Sequence, residues 1–224
     1  MTTTQDASEV SSVISTTGDS VFSPFPNCVK PLKYVLQGDQ DMILIGLSGR
    51  ARNGKTSFAD AITAAAEKRG LTAGTYDIGA MILKYCIANQ FIPQKSREEL
   101  TPAELKVLVD VGFEKRQEDE DFWLDQLLCS LFADFRDVAV IPNVRYQNEI
   151  DFVKRHRGVV VFIKALNPNG SDFISTDRDP NHVSECGLNE RDADFYIVAK
   201  RPGADWVSAQ GAALLDVLLK RSAI

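Results

Sequence analysis

The stretch Met42-Ile43-Leu44-Ile45-Gly46-Leu47-Ser48-Gly49-Arg50-Ala51-Arg52-Asn53-Gly54-Lys55-Thr56-Ser57 decides the fold. It reads as a buried strand, a glycine-bounded loop and the first turn of a helix. Gly49 to Thr56 fits G-x-x-x-x-G-K-[ST], the pattern of a phosphate-cradling loop. Each part has a physical task. Gly49 and Gly54 remove Cβ atoms where the backbone must curl and turn its N–H groups toward a phosphate. The helix that follows adds its positive N-terminal end. Lys55 is a mobile cation able to reach β- and γ-phosphates, and the Thr56 hydroxyl suits Mg²⁺. An alanine-rich helical run, Phe58 to Lys68, continues the unit. The expected nucleotide-binding set is therefore Gly49, Arg50, Ala51, Arg52, Asn53, Gly54, Lys55, Thr56 and Ser57, with ATP and Mg²⁺ as cofactors.

Composition sets the bounds. The chain has 224 residues, 44% hydrophobic and 25% charged, which suits one soluble α/β domain with a sizeable core. No run of 18 apolar residues occurs, so no membrane partner is expected. The first residues show no basic region before an apolar core, which argues for a cytoplasmic chain. Four widely spaced cysteines, Cys28, Cys86, Cys129 and Cys186, read as reduced thiols rather than a zinc site. The net charge of -6 is uneven: Glu98 to Asp125 holds ten acidic and three basic residues. An acidic whole argues against general nucleic-acid binding, while Arg50, Arg52 and Lys55 make a local positive pocket for a small anionic substrate.

The rest of the chain alternates strands with helices, the pattern of a doubly wound, mainly parallel sheet. Five strands are expected: Met42–Leu47, a short one at Leu71–Ile78, Val138–Ile141, Val159–Ala165 and Phe195–Ala199. Residues 1–38 read as a flexible N-terminal extension and 39–224 as the catalytic domain, with a helical insert at about 79–136 and a lid-like polar loop at about 167–190. Thr101-Pro102-Ala103-Glu104 is a helix start with N-cap, proline and capping-box acid in order. Leu105, Leu108, Val109 and Phe113 follow at helical spacing, with Gly112 as a weak point. The next helix carries Leu124, Leu127, Leu128, Leu131 and Phe135 on one stripe. Phe122 and Trp123 suit either the core or a base pocket.

Asp77, at the carboxyl edge of the second strand, is either a helix N-cap or a working carboxylate. No N-K-x-D motif for reading a guanine base occurs. The long apolar strand that in large ATPases ends in an acid ends here at Asn143. Size, helical insert and a late arginine-bearing loop suit a small kinase.

Two segments carry a family resemblance. Ile141-Pro142-Asn143-Val144-Arg145-Tyr146-Gln147-Asn148-Glu149 resembles the strand–Asp–Val–Arg–x–x–Asn–Glu signature of bacteriophage-type deoxynucleoside monophosphate kinases. Asp179-Pro180-Asn181-His182-Val183-Ser184-Glu185 resembles their late His-x-Ser-Glu segment. Ser184-Glu185-Cys186-Gly187-Leu188, followed by Asp194-Phe195, is similar to animal phosphomevalonate kinases. The resemblance spans about Met42 to Pro202. It implies a P-loop NTPase of nucleoside monophosphate kinase type that moves the ATP γ-phosphoryl group onto a deoxynucleoside monophosphate. Lys55, Arg145 and Arg178 would then be catalytic, with Asp77 as a further candidate. Asn143, Arg145, His182, Ser184 and Glu185 would bind substrate, and Thr56 the metal. The family's Asp stands as Asn143 here, which leaves the metal side short of one acid.

The residues leave alternatives open. Arg145, Arg50 and Arg52 also read as solvated arginines, Glu149 as a first-turn acid, and His182 with Ser184 and Glu185 as a helix cap. At the level of function, three remain: a kinase of a hydroxymethylated pyrimidine within DNA, with Asp77 as base; a phosphomevalonate kinase; and a non-catalytic nucleotide-binding protein. The expected partner is a free nucleotide, with DNA as the alternative and a homodimer left open.

Overall fold

The computed structural model describes residues 42–176, 190–200 and 204–222. The extension before residue 42 and most of the expected lid, 177–189, lie outside these. The elements are β1 (Ile43–Ser48), α1 (Lys55–Glu67), β2 (Ala73–Thr75), α2 (Ile78–Ala88), α3 (Pro102–Glu118), α4 (Phe122–Asp134), β3 (Val138–Ile141), α5 (Gln147–Arg155), β4 (Val159–Leu166), β5 (Phe195–Lys200) and α6 (Ala204–Ser222). The five strands form one sheet in the order β2-β3-β1-β4-β5, and every pairing is parallel.

Helices cover both faces because the strands are apolar on both. Successive side chains on a strand alternate faces, and the core divides accordingly. Ile45, Leu47, Val138, Val140, Val161 and Ile163 pack with Phe58, Ile62, Leu214 and Leu215 of α1 and α6. Leu44, Ala139, Ile141 and Val160 pack with α2, α3, α4 and α5 through residues such as Met81, Leu108, Trp123 and Ile150. Fully burying one such side chain is worth about 1.5–3 kcal/mol.

Local signals are met where the chemistry is local. Thr101 caps α3: Glu104 N–H donates to Thr101 Oγ1 at 3.3 Å, and Thr101 N–H donates to Glu104 Oε2 at 2.7 Å. The Lys95 ammonium, with the Thr101 backbone and hydroxyl donors, pulls the Glu104 carboxyl down to about 2. Gly70, at φ +75°, closes α1, with Gly70 N–H to Glu67 O at 2.9 Å and Leu71 N–H to Ala66 O at 3.1 Å.

Four readings change. The second strand spans Ala73–Thr75 alone, because Ile78 already belongs to α2. Leu108 of the expected α3 stripe is buried, with Val111 beside it, but Val109 and Phe113 are exposed, so the buried face covers only part of that stripe. Phe135 lies past the end of α4 in a left-handed conformation and is exposed. Cys86 is a free buried thiol, but Cys129 is disulfide-bonded. Spacing along the chain does not reveal which thiols meet in space.

Gly112 proves to be a packing notch. A Cβ there would stand 3.0 Å from Ile82 Cδ1, and its carbonyl accepts from Trp123 Nε1 at 3.2 Å. Trp123 is therefore core, 1% exposed, in edge-to-face contact with Tyr85 and Phe122. No described helix is long and apolar enough to cross a membrane.

The close approach of α6 to α1 depends on Gly211, whose added Cβ would lie 3.0 Å from Ala61 Cβ and 3.3 Å from the Ile62 backbone nitrogen. Gly211→Val should push the helices apart and destabilise the protein by about 1–3 kcal/mol. The check is a lower urea midpoint at unchanged slope.

Candidate functional site

Register places the site. Gly46 of β1 pairs with Ile141 of β3, and Thr75 of β2 pairs with Val140. Ser48, Asp77 and Asn143 each stand two residues beyond those partners' level, so three loops leave the sheet side by side. Val144 N–H donates to Leu47 O at 3.0 Å and binds the β3 exit to the end of β1. This is the carboxyl edge of a parallel sheet, where ligands bind in α/β folds.

The loop from Gly49 to Gly54 is shaped by its neighbour β4. Gly49 has φ +131°, and a Cβ on it would fall 2.2 Å from Ile163 O. The same carbonyl accepts from Asn53 Nδ2 at 3.2 Å, so one backbone oxygen crowds the loop at Gly49 and bonds it at Asn53. Arg52 and Gly54 also take positive φ, +62° and +87°. Arg50 is half-buried, Ala51 and Asn53 are buried, and Arg52, Thr56 and Ser57 are exposed.

Lys55 is the first residue of α1, and only 4% of it is exposed. Its Nζ donates to Gly49 O at 2.7 Å and Arg50 O at 2.8 Å, so the ammonium arches back over the loop. The helix N-terminus has no side-chain cap and no acid in its first turn. The first-turn N–H groups and positive end of such a helix favour an anion. At the base of the loop, Ser48 Oγ and Asn53 Oδ1 are buried without a hydrogen-bond partner. Such orphans are rare in a finished core.

Asp77 caps α2: its Oδ1 accepts from Gly79 N–H at 2.8 Å. Its Oδ2 accepts from Asn143 Nδ2 at 3.2 Å. The helix-cap reading of Asp77 therefore holds, and the cap also faces the β3 exit. An amide at 143 can donate to that carboxylate, whereas an aspartate would set two like charges in contact. Sequence reasoning missed Arg97, from the turn before α3. Its Nη1 lies 3.6 Å from the Cβ position of Gly79, beside Asp77 Oδ1 at 3.1 Å from that same point. No sequence signal connects position 97 to position 79.

Glu149 is more than a first-turn acid. It is 4% exposed, and its Oε2 accepts from Arg145 N–H at 2.7 Å and Tyr146 N–H at 3.3 Å. Burial pushes its carboxyl up, against the pull of those donors and of the Arg116 cation. Arg178, His182, Ser184 and Glu185 lie outside the described residues. Among the described residues no group of three or more His, Cys, Asp or Glu could hold a metal ion.

No protein-family model and no curated protein matches the chain. Two solved structures resemble it distantly. The crystal structure of APE1195 shares 12% identity at a TM-score of 0.40, over 80% of this chain and 96% of that one. A “putative kinase” from Chloroflexus aurantiacus J-10-fl shares 10% identity at a TM-score of 0.42, over 80% and 99%. At these scores neither likeness carries an argument, and the reading of the site rests on its own geometry.

The two loop glycines differ in what surrounds them, since nothing lies within 4 Å of a Cβ on Gly54. Gly54→Ala should cost only the left-handed strain, about 1–2 kcal/mol. Gly49→Ala must also displace Ile163 O and should cost about 1–3 kcal/mol more. Parallel urea melts of the two variants check this order.

Proposed function

We propose that this protein is an ATP-dependent phosphotransferase of the P-loop, nucleoside monophosphate kinase type, and that its acceptor is a deoxynucleoside monophosphate. The observation that carries the reading is the Lys55 ammonium held across the loop by the carbonyls of Gly49 and Arg50. Phosphate oxygens can take the place of those two carbonyls around the ammonium. The uncapped start of α1 and the Cβ-free backbone at Gly49 suit a polyphosphate in the same place.

In the reaction, Lys55 holds the transferring phosphoryl group, and loop N–H groups bind the phosphates behind it. An oxygen of the acceptor phosphate attacks the γ-phosphorus, the bond to the β-phosphate oxygen breaks, and ADP leaves. Arg145 neutralises acceptor charge, and Arg178 acts from the late loop. Thr56 would hold Mg²⁺ from the protein side, and the ion would supply further charge neutralisation. Phosphoryl transfer depends mainly on positioning and charge.

Both oxygens of Asp77 already accept hydrogen bonds, from Gly79 and Asn143. That favours an acceptor that is already an anion and needs no general base. It weighs against a hydroxyl acceptor such as a hydroxymethylated pyrimidine in DNA.

Radiolabelled ATP offered with the four deoxynucleoside monophosphates, their modified forms, phosphomevalonate and hydroxymethyluracil-containing DNA tests the acceptor. Transfer to a monophosphate is the expected result; transfer to DNA alone would replace this acceptor with the polymer. Lys55→Met, which keeps the buried volume, should lower the rate roughly a hundred- to a thousand-fold while the fold is retained by circular dichroism. Wild-type turnover in that variant would end the proposal.

A further inference from the structure

Between α3 and the start of α5 lies a cluster that the phosphate loop does not explain. Glu149 Oε1 accepts from Arg116 Nη2 at 3.2 Å, while Arg116 Nη1 donates to Gly112 O at 3.0 Å. The guanidinium carbon lies 4.5 Å from the centre of the Tyr146 ring. One planar cation thus touches a carboxylate of α5, the ring of the residue that caps α5, and a carbonyl of its own helix. The Arg116 side chain is 18% exposed and that of Glu149 5%. A second tie runs alongside: Asn148 Nδ2 donates to Glu120 O at 2.8 Å and to Asp121 Oδ1 at 3.2 Å. The first turn of α5 is therefore held by α3 and by the link from α3 to α4.

What this cluster grips is the backbone of Arg145 and Tyr146, whose N–H groups both point at Glu149 Oε2. These are the residues that immediately follow Asn143 and Val144 at the carboxyl edge. We infer that Arg116 and Glu149 are positioning residues: they clamp the β3–α5 loop so that Arg145 is presented at the edge of the sheet, and they tie that presentation to the helical insert. The consequence for catalysis rests on the phosphotransferase reading; the clamp itself does not.

A buried ion pair typically adds little net stability over a well-packed apolar substitute. Its distinctive product here is geometry. Arginine supplies it because its fork can serve Glu149 and Gly112 together while its plane lies on Tyr146, which a lysine cannot do. The groups facing Glu149 are Arg116 from α3 and, from the loop, the N–H groups of Arg145 and Tyr146. Arg116 supplies the positive charge among them. Burial already raises the Glu149 carboxyl, so removing that cation raises it further. Protonated Glu149 is a weaker acceptor for the two N–H groups. An activity that needs them held should therefore fail on the acid side at a higher pH.

The experiment uses the full chain with Arg116→Gln, Arg116→Lys and Glu149→Gln. Amide hydrogen exchange at Arg145 and Tyr146 should accelerate roughly tenfold or more in Arg116→Gln, with protection in β1 and α1 unchanged. With ATP and the best acceptor, the acceptor KM should rise and its kcat/KM fall roughly ten- to a hundred-fold, while the ATP KM holds. The acid limb of the pH profile should move upward in Arg116→Gln and return in Arg116→Lys, which restores charge without the fork. Unchanged exchange at residues 145 and 146 in both the Arg116→Gln and Glu149→Gln proteins would overturn the clamp. So would uniform loss of protection across the molecule, the mark of a merely structural pair. If wild type passes phosphate to no acceptor, the functional reading falls, and the exchange measurement still decides the clamp.

Discussion

A single backbone oxygen, Ile163 O, sets the shape of the loop from Gly49 to Gly54. It stands where a side chain at position 49 would begin, so only glycine can follow β1 there. It also accepts from Asn53, which draws the far arm of the loop onto β4. Between these two points the chain must arch, and the arch ends in the left-handed Gly54 that launches α1. Lys55 then has nowhere to go but back across the arch, where two carbonyls receive it. The constraint comes from β4, a strand paired on both sides within the sheet.

The opposite side of the edge is built differently. Asp77, Asn143 and Arg145 sit on loops, and the helices between β2 and β3 reach them through α2 at Asp77 and through Arg116 of α3 at Glu149. Asp77 is oriented by capping α2. The Arg145 backbone is held through Glu149 by Arg116 of α3. Gly112 ties these contacts to the core, since its carbonyl receives both Arg116 and the buried Trp123, and its missing side chain admits Ile82. The sheet therefore shapes the loop that reads as the nucleotide side, and the helical insert shapes the loops that would face an acceptor.

Much was legible in the residues because its causes are local. The apolar strand before Gly49 and the capping box at Thr101 depend on contacts a few residues apart. The double-faced apolar strands alternating with helices similarly required a sheet covered on both sides. Periodicity could not say that Val109 and Phe113 of α3 would stay outside, nor that Phe135 would fall past the end of α4, because both depend on where neighbouring helices lie.

The covalent order of side chains was enough to establish the loop, its cation and the alternation of strand and helix, because short-range geometry and hydrogen bonding dictate them. Folding in three dimensions was needed to bring Asp77 to Asn143, Arg97 to the start of α2, and Arg116 to Glu149. Those pairs are separated by between 18 and 66 residues. Their meeting is set by parallel register and helix packing, quantities that no stretch of chain carries on its own.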